Sequence, residues 1–128
     1  MSTHLDATFT ITRWEGTPFA PEPDGPELAV VDVAKTYSGA LSGTSTGRLT
    51  TCVAAGGSAG YVGTERVVGT LAGRGGSFVL QHGATTHEGV EAFVGYVVPG
   101  SGTGELTGLS GTAKLVHEAI ELDYDLPS

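Results

Sequence analysis

Between Glu65 and Gly83 the chain reads Glu65-Arg66-Val67-Val68-Gly69-Thr70-Leu71-Ala72, then Gly73-Arg74-Gly75-Gly76, then Ser77-Phe78-Val79-Leu80-Gln81-His82-Gly83. Both arms alternate with period two and a glycine-rich break separates them, which is the pattern of a β-hairpin with one buried face. With residues 73–76 as the loop, Leu71 lies opposite Phe78, Gly69 opposite Leu80, Val67 opposite His82 and Glu65 opposite Ala84. One face then carries Glu65, Val67, Leu71, Phe78, Leu80 and His82. The other carries Arg66, Val68, Thr70, Ser77, Val79 and Gln81. A slip of one residue would mix these sets, so burial selects the facing. Its chemical consequence is that Glu65 and His82 become diagonal neighbours on an apolar face. A carboxylate and an imidazole so placed are a candidate acid–base or ligand site.

The same period recurs along the chain. Residues 7–15 set Phe9, Ile11 and Arg13 against Thr8, Thr10, Thr12 and Trp14. Further strands are expected at 28–38, 44–55, 61–72, 77–83, 90–98, 112–116 and 119–126. Pro18, Pro21, Pro23 and Pro26 mark residues 16–26 as an extended loop. Residues 104–111 are glycine-punctuated and read as a turn of helix or an irregular crossing. No segment offers a helical apolar stripe of three turns. Seven or eight antiparallel strands at even spacing point to a sandwich or a barrel, and closure removes the edges a valine-rich sheet would expose. The expectation is an all-β fold, a small closed antiparallel barrel of about eight strands, as one domain over residues 1–128. The 21 glycines follow no triplet and suit tight turns and bends in such a sheet.

A formal charge of −8 excludes nucleic-acid and anionic-membrane partners as expectations, since both rely on basic clusters. Cys52 is the single cysteine, so no intramolecular disulfide forms, and a lone thiol fits a reducing compartment. No basic-then-apolar leader opens the sequence and no apolar run reaches ~18 residues. A cytoplasmic location is expected. His4, His82, His87 and His117 keep no ligand spacing, so no metal and no cofactor is expected. Gly57-Ser58-Ala59-Gly60 and Gly100-Ser101-Gly102 lack the nucleophile-elbow pattern of serine hydrolases.

The run from Glu65 to His82, with Val98-Pro99-Gly100-Ser101-Gly102-Thr103-Gly104-Glu105-Leu106, resembles an uncharacterised bacterial family classed as a domain of unknown function. The ending Leu122-Asp123-Tyr124-Asp125-Leu126, the stretch Lys35-Thr36-Tyr37-Ser38-Gly39 and the opening Phe9-Thr10-Ile11-Thr12-Arg13-Trp14 share the resemblance, which covers nearly the whole chain. The family in turn is similar to the allene oxide cyclase type of eight-stranded barrel. That resemblance implies an enclosed hydrophobic substrate, with catalysis by restraint and a few placed dipoles. The plant cyclases' acid position is occupied here by Phe9, and Cys52 falls on a different strand from their cysteine. The resemblance therefore implies the barrel rather than the plant reaction.

The candidate site follows from the two lines together. Glu65, lining an apolar barrel, should have a raised pKa and could serve as general acid or base, with His82 as its partner. The bland alternative is a structural pair of Glu65 with Arg66, Arg48 or a backbone amide. Phe9, Ile11, Tyr61, Val67, Phe78, Leu80, Tyr96 and Tyr124 are the expected ligand-binding residues; Tyr61 shares parity with Glu65. The functional expectation is a cofactor-free isomerase or cyclase acting on a small hydrophobic molecule. The alternatives are a non-catalytic, lipocalin-like binder, or a filled barrel that assembles through outward residues such as Val68 and Val79. A homo-oligomer is left open.

Overall fold

The computed structural model describes residues 2–127. Eight antiparallel strands are hydrogen-bonded in chain order: β1 (Thr3–Phe19), β2 (Glu27–Gly39), β3 (Leu41–Val53), β4 (Ala59–Leu71), β5 (Arg74–His87), β6 (Val90–Val97), β7 (Ser110–Val116) and β8 (Ala119–Asp125). β8 returns to β1, and the sheet closes into the barrel that the alternation implies. The stretch after β6 crosses one end of the barrel and contains a single 3-10 turn, Gly104–Leu106. Among the described residues, no helix is long and apolar enough to cross a membrane.

The central hairpin keeps the expected facing but not the expected register. Leu71 pairs with Arg74, Val67 with Phe78, Glu65 with Leu80 and Gly63 with His82. The loop is Ala72-Gly73 alone, with φ of 48° and 82°. Two consecutive left-handed residues make the turn whose twist matches that of the flanking strands. The slip relative to the sequence reading is even, so every side chain stays on its own face. Gly69, which now faces Gly76, is also packed hard on β3: a Cβ there would lie 2.0 Å from the Ser42 carbonyl oxygen. Only glycine allows that approach.

β1 departs from the sequence reading twice. It continues through Gly16, Thr17 and Pro18, which pair with Val31, Val30 and Ala29. β1 pairs with β8 only over Thr3 to Thr8, so Pro18 sits where the strand has one neighbour and a missing N–H is tolerated. The ladder also shifts at Thr12: Ile11 pairs with Lys35, but Arg13 pairs with Ala34 and Trp14 with Val33. This bulge inverts the alternation, turning Trp14 to the inner face with Phe9 and Ile11. Arg13 instead lies outside, with its Nε donating to Glu15 Oε1 at 2.9 Å.

One end of the barrel is solid. Leu41, Val67, Leu71, Phe78, Leu80, Ile120 and Leu122 fill it, and Leu106 and Leu109 from the crossing segment close it over. Towards the other end the buried apolar set thins to Val31, Val33 and Leu49, with Tyr61 packed against them. The polar cluster described next lies at the boundary.

Candidate functional site

On β2 the inward positions run Val31, Val33, Lys35, Tyr37, so a lysine and a tyrosine occupy the continuation of a valine face. β4 contributes Tyr61 and Glu65, and β5 contributes His82 opposite Gly63. Between Glu65 and β2 stands Gly47 of β3, paired with Val33 on one side and Glu65 on the other. A Cβ at Gly47 would come within 2.6 Å of the Glu65 Cβ. Its absence leaves Glu65 free to lean across β3 towards Lys35 and Tyr37.

Glu65 is 1% exposed and its carboxylate accepts three side-chain hydrogen bonds. Lys35 Nζ donates to Oε2 at 2.8 Å, Tyr37 Oη donates to Oε1 at 2.5 Å, and His82 Nε2 lies 2.6 Å from Oε2. The other ring nitrogen, Nδ1, lies 2.8 Å from the Tyr61 hydroxyl. In the neutral ring these partners fix the tautomer: Nε2–H donates to the carboxylate, which can only accept, and Nδ1 accepts from Tyr61. Lys35 Nζ also sits 4.4 Å above the centre of the Phe9 ring, a cation–π contact that helps hold the ammonium away from water.

The electrostatics reverse the expectation for Glu65. Burial by itself pushes its carboxyl up, but the hydrogen bond from His82, the Lys35 charge and the Lys35 and Tyr37 hydrogen bonds outweigh it. The carboxyl is held at about 2. Glu65 is therefore a fixed carboxylate at neutral pH rather than a proton donor. Burial, reinforced by the Glu65 charge, raises the Tyr37 phenol far above its ordinary range and the Tyr61 phenol to about 12.

Beside the cluster opens a cavity of about 520 Å³. Its walls are mainly apolar, with Phe9, Ile11, Trp14, Leu49, Tyr61 and Phe93 prominent, and Lys35 and His82 are part of its lining. Glu91, His117 and Glu118 contribute charge and polarity on the exposed side. Of the residues expected to bind a ligand, Phe9, Ile11 and Tyr61 line this cavity. Val67, Phe78, Leu80 and Tyr124 belong to the packed core, because they lie nearer the filled end of their strands. Tyr96 is on the outer face, its hydroxyl donating to Gln81 Oε1 at 2.7 Å. Glu65 lies behind Lys35 and His82 rather than in the cavity wall. Of its bland alternative partners, Arg48 pairs outside with Asp32 and Arg66 is exposed. Val68 is exposed and Val79 half-buried on the outer sheet.

Lys35 and Tyr37 are the members that the sequence reading missed, although their places in the Val31-Val33 alternation marked them as inward. His4, Asp6 and Glu121 come close enough to hold an ion, but all three are exposed, and His4 already bonds Asp123 and Asp6 through its two ring nitrogens. Cys52 is a free, half-buried thiol.

A family model described as "Protein of unknown function (DUF3224)" matches residues 5–127. The chain belongs to the DUF3224 family. The solved structure of a protein with unknown function from the DUF3224 family of Shewanella oneidensis MR-1 is similar to it at 37% sequence identity. The match covers 100% of this chain and 99% of that one, with a TM-score of 0.87. No curated protein matches the chain. The uncharacterised-family resemblance read from residues 65–82 and 98–106 is thus established for this DUF3224 barrel.

Proposed function

We propose that the barrel is a chamber for a small hydrophobic molecule carrying one neutral oxygen group. The supporting observation is the cavity of about 520 Å³, apolar in its walls, with the Lys35, Tyr61 and His82 side chains gathered on one part of its lining. A volume in this range suits a molecule of drug or terpenoid size. Lys35 is already neutralised by Glu65, and the exposed side carries Glu91 and Glu118, so a carboxylate-bearing ligand gains little here. A carbonyl or hydroxyl can take a hydrogen bond from this group without adding charge. The free Cys52 supports a reducing, cytoplasmic setting.

The test is direct. Trp14 is the single tryptophan and stands in the cavity wall, half-exposed. Titration with β-ionone, a neutral apolar ketone, should change its fluorescence saturably. Val33→Phe, which fills the space beside Trp14, should abolish the change while the fold persists by circular dichroism. An unchanged titration curve in the filled variant would refute occupancy of this cavity. An isomerase is the second reading, favoured by the hydrogen-bonded chain from Glu65 through His82 to Tyr61.

A further inference from the structure

We infer that Tyr61 is the proton-transfer group of this chamber, with His82 and Glu65 behind it as a relay, and that its substrates are enolisable ketones or enones. The inference rests on the occupancy reading above and adds a reaction to it.

The chain of contacts has a direction. Glu65 already accepts from three donors and is not part of the cavity lining, so its carboxylate serves to orient His82 and to stabilise charge on that ring. The Tyr61 hydroxyl, bonded to Nδ1 at 2.8 Å, is the far end of the chain of contacts from Glu65, and Tyr61 lines the cavity together with Lys35 and His82. The His82 and Tyr61 rings also pack edge-to-face, with centroids 5.5 Å apart at 75°, which fixes both rings. A carboxylate orienting an imidazole whose other nitrogen faces a hydroxyl is the arrangement that lets a weakly acidic O–H exchange protons. Here the hydroxyl is a phenol, whose role is acid–base.

The step balances without a cofactor. A substrate C–H bond next to a carbonyl breaks and its proton passes to the Tyr61 oxygen. The Tyr61 hydroxyl proton passes in the same event to His82 Nδ1. The C–H electron pair moves onto the carbonyl oxygen as an enolate. Lys35, also in the lining and charge-paired with Glu65, can offer that oxygen a hydrogen bond from a remaining N–H. The imidazolium formed is hydrogen-bonded to Glu65. Exchange follows when the Tyr61 hydroxyl trades the proton taken from carbon for a solvent proton before the relay reverses: Tyr61 then protonates the original carbon as Nδ1 returns its proton to Tyr61. Protonation of a conjugated carbon instead moves the double bond. Nothing is oxidised or reduced.

Deuterium exchange tests this with β-ionone, whose acetyl C–H bonds are enolisable. In D2O, the wild-type protein should exchange the acetyl protons faster than buffer, read by proton NMR, at a rate that saturates with the Trp14 binding curve. Tyr61→Phe and His82→Gln should each lower the saturated rate by roughly 100-fold, each compared at saturation on its own Trp14 binding curve. Gln at position 82 can still bond both neighbours but cannot take up the proton, so a residue with only a structural role would leave the rate unmoved. Saturable binding without accelerated exchange overturns the relay and leaves the chamber standing; absence of binding overturns both. Should the variants not fold, the nitrogen-15 shifts of His82 in the wild-type protein decide. A protonated Nε2 with a bare Nδ1 supports the relay, and the opposite tautomer overturns it.

Discussion

Replacing Lys35 by methionine removes one of the three donors to a carboxylate that is 1% exposed. Removing one partner of a buried ion pair costs about 3–5 kcal/mol, because the remaining charge is stranded. The structure supplies a second scale for that figure. Burial raises the Glu65 carboxyl, and its three partners more than reverse this, for a net fall from 4.5 to about 2. At about 1.4 kcal/mol per unit, that is about 3 kcal/mol of stabilisation at neutral pH. A Glu65 deprived of Lys35 can take up a proton instead of remaining charged, so the cost at pH 7 should lie near the lower figure, about 3 kcal/mol. The sign with pH follows from the lowered carboxyl. Its contribution is complete above about pH 4.5 and is lost as pH falls towards 2. The gap between wild type and Lys35→Met should therefore be widest at pH 5–7 and narrow steadily in acid. Urea unfolding followed by far-ultraviolet circular dichroism at pH 7, 5 and 3 measures it. A variant within about 1 kcal/mol of wild type at pH 7, with a parallel pH dependence, would refute the claim that this pair is a buried, mutually dependent unit.

Ala72→Asn should stabilise the protein by about 0.5–1 kcal/mol, since Ala72 has φ of 48° and asparagine accepts that conformation more readily; thermal unfolding would show it. Gly69→Ala should cost at least about 1–3 kcal/mol, because its Cβ would stand 2.0 Å from the Ser42 carbonyl oxygen and the β3–β4 contact must open; a midpoint unchanged in urea would contradict the register. In alkali the raised Tyr61 phenol favours the folded state fully below pH 10, and this is lost as pH rises through about 12. Tyr61→Phe should accordingly flatten the decline of stability over that range, measured by urea midpoints alongside phenolate absorbance.

The barrel was legible because its signal is redundant: strand after strand alternates, and the facing of Glu65, Val67, Leu71, Phe78, Leu80 and His82 follows from burial alone. Register was not, since an even slip preserves the faces and leaves hydrophobicity with no preference. The structural choice rests on Ala72 entering a left-handed turn, which alanine does not advertise, and on close glycine contacts such as Gly69 against Ser42. The Glu65–His82 pairing survived the slip because the two remain diagonal neighbours across Leu80 and Gly63. The state of Glu65 was misjudged for a different reason. A local reading shows one carboxyl on an apolar face, while Lys35 and Tyr37 reach it from β2 across Gly47, contacts between residues 30 and 28 positions apart. The division of the interior into a packed end and an open end also lay beyond alternation, which assigns a face but not a height along the barrel.

The bulge at Thr12 separates two properties of the chamber that are usually written by the same residues. A chain lacking Thr12 would still match Ile11 to Lys35, Arg13 to Ala34 and Trp14 to Val33, so the lining would keep its chemistry. What would change is the bend and coil of β1 just above the point where it leaves β8. Loss or gain of a single codon here thus reshapes the mouth of the cavity while its lining residues stay the same, which on the proposed reading would change the girth of molecule that fits beside Trp14.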